Sequence, residues 1–141
     1  MSQINVAAVR SGDIVRMSDA PPHRPRVTIV EDDVSLLNAL SFALEEEGFA
    51  VSPYDRGRDL LDRPQATDCL VVDLKLRDAD GLTLITELRE LGLSPPAILI
   101  TSNPDDRCRR RAADAGVEIV EKPLIGAELG GRIADLIAGR P

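Results

Sequence analysis

Four short apolar runs each close on side chains able to do chemistry. Val27 to Val30 is followed by Glu31, Asp32 and Asp33, and Cys69 to Val72 by Asp73. Ala97 to Ile100 is followed by Thr101, and Val117 to Val120 by Glu121, Lys122 and Pro123. Carboxylates gathered within a few ångström disfavour one another's ionisation. A hard divalent cation relieves that conflict, and Mg2+ favours one or two carboxylates together with waters and phosphate oxygens. With the charge neutralised, a carboxylate can attack phosphorus and become an acyl phosphate. Phosphoryl transfer asks otherwise for positioning and for neutralisation of the equatorial oxygens. Lys122 offers a compact positive charge for this, and Thr101 a hydroxyl donor.

Other chemistries lack their residues. The single histidine, His23, sits between prolines in Pro-Pro-His-Arg-Pro, so a triad histidine or a His-ligated metal has no credible candidate. No Walker loop is present, and no glycine-rich dinucleotide turn follows the first apolar run. Seventeen basic against 24 acidic residues leave a net charge of −7, which argues against a nucleic-acid or anionic-membrane surface. Cys69 and Cys108 are too few for a disulfide framework and read as small core residues of a reducing compartment, so the expected location is the cytoplasm. Of the 17 basic residues only Lys75 and Lys122 are lysine, which singles out Lys122 as a place where a point charge is wanted.

The elements that must carry these residues follow from the pattern. At 141 residues the chain suits one domain. Residues 1–25 end in Pro21, Pro22 and Pro25 and read as a flexible N-terminal leader, with Met17 as an alternative start. From Arg26 onward, five β-branched runs alternate with helical stripes, the second strand being Ala50-Val51 and ending at Pro53-Tyr54. Most runs are continuously apolar, as in strands covered on both faces. Leu36, Leu37, Leu40 and Leu44 predict a helix from Val34 to Glu47 with Asp33 as its cap, and a shorter one is expected from Arg56 to Asp62. Leu84, Ile85, Leu88 and Leu91 predict a third helix over Leu82 to Leu91, entered through an Asp80-Gly81 turn. Asn103 is the expected cap of the fourth, with Pro104 at its first position and its end at Ala115. The last helix is expected over Gly126 to Ala138. Gly48, Gly92 and Gly116 are the stop signals. The result is an α/β fold, a doubly wound five-stranded parallel sheet with five helices, whose ligands gather at the carboxyl ends of the strands.

The segments Val30-Glu31-Asp32-Asp33, Asp73-Leu74-Lys75-Leu76, Asp80-Gly81, Ile100-Thr101-Ser102 and Glu121-Lys122-Pro123, in this order, resemble the receiver domain of two-component response regulators. The resemblance covers about residues 26–139 and assigns residues 26–141 to one receiver domain with the flavodoxin-like strand order 2-1-3-4-5. It implies that Asp73 is the phosphoacceptor, and that Mg2+ is held by Asp32, Asp73, the backbone carbonyl of Lys75, and Glu31 directly or through water. It further implies that Thr101 is the switch hydroxyl, that Lys122 contacts the phosphoryl group, and that Pro123 follows a cis bond. The donor would be a phosphohistidine on a sensor histidine kinase or a histidine phosphotransfer protein. A downstream protein target and a homodimer through the last two helices are compatible with it. The chain ends one helix after Lys122, so the expectation is a stand-alone, single-domain regulator that signals by conformational switching or phosphorelay.

Two positions depart from the family pattern. Arg77 stands where proline is usual, four residues after the phosphoacceptor, and a looser loop is expected there. Ile119 stands where an aromatic switch residue is usual, three residues before the lysine. A β-branched side chain is stiff at χ1 and offers little contrast between two states. That departure favours the alternative of a phosphorylation-independent, receiver-like interaction module. A small Mg2+-dependent aspartyl phosphatase would want a second Asp at Lys75. Arg107, Arg109, Arg110 and Arg111 read as a solvated helix face paired internally through Asp105–Arg109 and Asp106–Arg110, with partner docking as the sharper alternative.

Overall fold

The computed structural model describes residues 23–124 and 127–139. Most of the expected leader, the alternative start at Met17 and the residue Gly126 at the head of the last expected helix lie outside the described residues. Five strands alternate with five helices: β1 Arg26–Val30, α1 Val34–Glu46, β2 Ala50–Tyr54, α2 Gly57–Asp62, β3 Cys69–Asp73, α3 Gly81–Glu90, β4 Ala97–Thr101, α4 Asp106–Ala115, β5 Glu118–Glu121 and α5 Glu128–Ala138. The strands form one sheet in the order β2-β1-β3-β4-β5, with every pairing parallel. The expected fold class and strand order are both borne out.

The residue patterns explain the layers. All five residues of β3 and of β4 are buried, which is why those strands are apolar almost throughout. Their side chains alternate between two cores. Cys69, Val71, Ile98 and Ile100 join the leucines of α1 and Ile133 of α5, while Leu70, Val72, Ala97 and Leu99 join the stripe of α3 and Ala112 of α4. Burial of one such side chain is worth roughly 1.5–3 kcal/mol, so the two cores carry most of the stability. β2 is an edge strand and longer than its two apolar residues suggest. It includes Pro53, which a strand tolerates at a sheet edge, paired in register with Ile29. Cys69 and Cys108 are buried cysteines in different cores. Burial pushes the Cys108 thiol above its usual range, so it stays a protonated core residue.

The helix ends show where local signals succeed and fail. The Asp33 carboxylate accepts the Leu36 N–H at 3.2 Å, and Asp80 accepts from Leu82 and Thr83 at 2.9 and 3.1 Å, so both are N-caps. α1, α3 and α4 stop at Gly48, Gly92 and Gly116, all with positive φ. The fourth helix corrects the expectation: its cap is Asp105, which accepts the Cys108 N–H at 2.8 Å. Asn103 instead takes a left-handed turn at φ 46, a conformation asparagine tolerates better than most residues. α2 has no side-chain cap of its own, and Asp78, 20 and 21 residues further along, accepts the N–H groups of Arg58 and Gly57.

The loop after β3 is likewise not loose. The Leu76 N–H donates to Ala79 O at 3.1 Å, the Gly81 N–H to Leu74 O at 2.8 Å, and the Arg77 N–H to Asp32 Oδ2 at 2.8 Å. The last of these uses the donor that a proline would lack. Gly81 is required by close approach: a Cβ there would overlap the carbonyl oxygen of Asp73. Substitution Gly81→Ala is therefore expected to cost about 2 kcal/mol or more, as overpacking against backbone that cannot withdraw. Urea unfolding of the two proteins measures this.

Candidate functional site

The carboxyl ends of β1, β3, β4 and β5 deliver the chemistry-bearing residues to one rim of the sheet. Asp73 is the last residue of β3, and Glu31 and Asp32 immediately follow β1. Carboxylate oxygens of Glu31, Asp32 and Asp73 all lie within 4.8 Å of one another. Lys122, just beyond β5, reaches into them: its Nζ is 3.2 Å from Asp73 Oδ2 and 3.1 Å from Glu31 Oε1. Thr101, the last residue of β4, is buried, and its carbonyl accepts the Lys122 N–H at 2.9 Å. The strand that ends in Thr101 therefore also fixes the backbone from which Lys122 springs. The Lys122–Pro123 peptide is cis. Lys75 follows on the loop, where its backbone forms an isolated antiparallel β-bridge with that of Asp80 and its N–H lies 3.4 Å from Asp73 Oδ1.

Burial sets the electrostatics. Glu31 is only 1% exposed, and desolvation pushes its carboxyl above the ordinary 4.5. The Asp33 N–H and the Lys122 ammonium oppose this rise, and the Asp73 charge adds to it. Desolvation alone would lower Lys122, but its contacts with Glu31 and Asp73 outweigh it and hold the ammonium above its ordinary 10.5. Lys122 is thus charged throughout the physiological range.

The donor set fits a hard divalent cation. Three carboxylates face one ammonium, so negative charge is in surplus. Glu31 Oε2 accepts the Asp33 N–H at 3.1 Å, whereas the buried Glu31 Oε1 has the Lys122 charge beside it but no aligned hydrogen-bond donor. An oxygen so placed has coordination to spare for a cation or its water. Beside the cluster an open cleft of about 670 Å³ lies between Asp32, Ser35, Asp55, Arg56 and Arg77.

The remaining candidates lie on the face formed by α4, β5 and α5. Ile119 is half-buried against the core on the α3 and α4 side. Arg109, expected to pair with Asp105 of its own helix, and Arg111 make contacts between elements instead. Arg109 pairs with Glu121 of β5 at 3.2 Å, and Arg111 grips Asp80 with both guanidinium nitrogens at 2.9 and 3.1 Å. Arg132 of α5 pairs with Glu118 at 2.9 Å. A charged side chain reaches across an element boundary when the neighbouring acid offers a better fork than the one a turn away.

Comparison with known proteins agrees with this geometry. The model of the family described as response regulator receiver domain matches residues 27–134. The chain is 31% identical over 117 residues to the transcriptional regulatory protein CreB of Escherichia coli, covering 81% of this chain and 51% of that protein. It is 35% identical over 106 residues to nodulation protein W of Bradyrhizobium diazoefficiens, covering 73% of this chain and 47% of that protein. The chain thus spans about half the length of these curated relatives. Among solved structures, FixJ-N superposes with a TM-score of 0.75 at 27% identity, covering 85% of this chain and 98% of that one. The chemotaxis protein CheY4 of Vibrio cholerae has the same fold, with a TM-score of 0.75 at 18% identity over 81% of this chain and 99% of that one.

Removal of the ammonium tests the electrostatics. Lys122→Ala leaves Glu31 and Asp73 facing each other without a counter-charge and is expected to cost about 2 kcal/mol at neutral pH. The Glu31 carboxyl titrates above 4.5 in the folded state, so the stability tied to its protonation is present below 4.5 and lost as pH rises through the raised value. The deficit of the variant is therefore expected to shrink on acidification toward pH 4.5 and to grow toward neutrality, measured by urea unfolding across that range.

Proposed function

The chain belongs to the response regulator receiver domain family, and from that premise we propose that Asp73 is its phosphoacceptor. Domains of this family are signalling modules that receive a phosphoryl group from histidine kinases or phosphotransfer proteins and bind Mg2+ at an acidic cluster. The observation that carries the reading is the Lys122 ammonium held between Asp73 and Glu31, with Asp32 completing the group of acids.

An Asp73 Oδ lone pair attacks the phosphorus of a phosphohistidine on the partner. The P–O bond forms, the P–N bond breaks, and its electron pair returns to the imidazole nitrogen. Lys122 stays protonated and holds the charge developing on the phosphoryl oxygens, and Thr101 lends a hydroxyl from the end of β4. Asp32, Asp73, the Lys75 carbonyl and Glu31, directly or through water, would hold Mg2+. When bound, that ion neutralises the acids and polarises the phosphoryl group. The donor is a sensor histidine kinase or a histidine phosphotransfer protein. The readout is conformational switching toward a downstream protein target or relay of the phosphoryl group, in the cytoplasm. Among the described residues no helix is long and apolar enough to cross a membrane.

Ile119 favours a second reading, in which the domain binds its partner without phosphate. Its half-buried, β-branched side chain has no ring to move between two positions. Intact-mass measurement after incubation with acetyl phosphate and Mg2+ separates the two. The expected outcome is a gain of one phosphoryl group in wild type and none in Asp73→Asn. A gain in both proteins would move the acceptor elsewhere, and a gain in neither would favour the phosphate-independent module.

A further inference from the structure

The Arg77 N–H donates to Asp32 Oδ2 at 2.8 Å from a loop that holds it in place. Leu76 and Gly81 hydrogen-bond within the loop to Ala79 O and Leu74 O, and Asp78 anchors it to the first two residues of α2. The donor therefore stands in a fixed place before any ligand arrives. We infer that Arg77 is a positioning residue for the metal site, acting through its backbone: the N–H fixes one oxygen of Asp32 and leaves the other for the cation. This rests on the reading of Asp32 as an Mg2+ ligand.

The side chain contributes little to this. The guanidinium Nε stands 3.9 Å from the same Asp32 oxygen, and the Arg77 side chain is 86% exposed. An exposed ion pair of that length is screened by water. A hydrogen bond from a buried or fixed donor to a charged carboxylate is stronger, and outer contacts of this kind orient metal ligands. A proline at this position could not make the bond, so the interaction depends on this chain carrying a residue other than proline here.

The test is Mg2+ titration of the full chain by calorimetry for wild type, Arg77→Ala and Arg77→Pro. Arg77→Ala keeps the N–H and is expected to bind Mg2+ within about threefold of wild type. Arg77→Pro removes the N–H and is expected to raise the Kd about tenfold. Equal affinity for Arg77→Pro and wild type, or equal losses in both variants, would overturn the inference. Should Arg77→Pro fail to fold, the Arg77 amide decides: its hydrogen-exchange protection is expected to fall in Asp32→Ala, and unchanged protection overturns the inference. Wild type that binds no Mg2+ would overturn the metal-site reading itself, an outcome distinct from wild-type binding that persists in Arg77→Pro.

Discussion

A carboxylate that is 1% exposed is the constraint from which the rest of this rim follows. Glu31 is placed at the end of β1 by a strand that is buried on both faces, so it cannot turn to solvent without unpicking the sheet. Ionised burial is tolerable only with a counter-charge and hydrogen bonds. The chain supplies the Asp33 N–H on one oxygen and the Lys122 ammonium beside the other. Asp73 shares the same ammonium, so the two acids compete for one cation. Under the proposed function, that competition is what a further divalent ion would relieve, and Lys122 would meet the negative charge of the phosphoryl oxygens.

The positions of the chemical residues were legible because they are tied to strand ends, and strand ends are visible as the point where an apolar run stops. β3 and β4 are continuous runs, so Asp73 and Thr101 stand out without any knowledge of tertiary contacts. Asp33, Asp80 and the glycine stops were legible for a similar reason, since a cap acts on N–H groups two or three residues away. Asn103 misled because its residue type satisfies the same local rule as Asp105. The choice between them was made by the left-handed turn at Asn103, which starts the helix three residues later.

What the sequence did not disclose is non-local. Nothing in the spacing of Asp78 and Gly57 indicates that one caps the other, and nothing near Arg77 names Asp32, 45 residues away, as its acceptor. Arg109 and Arg110 of α4 were assigned to acids of their own helix by the i,i+4 rule, a rule worth only about 0.2–0.5 kcal/mol per pair. So weak a preference gives way whenever the fold brings a better acceptor within reach. Glu121 is such an acceptor for Arg109, whose expected partner Asp105 caps α4 instead.

These non-local contacts converge on the short segment between β3 and α3. Arg77 reaches back to the acid after β1, Asp78 caps α2, Asp80 caps α3 and pairs with α4, and Gly81 lies against the backbone carbonyl of Asp73. The segment sets Leu76 in the core and packs Leu74 and Ala79 against it, while its other four side chains are polar. Its conformation is therefore set by hydrogen bonds and by the space at Gly81 together with this packing. Hydrogen bonds to charged groups are directional, so a loop built on them holds its backbone donors in defined places. That is how a stretch without regular structure can brace Asp32 and lie against the backbone of Asp73 with the fixity that the proposed phosphoryl transfer would demand.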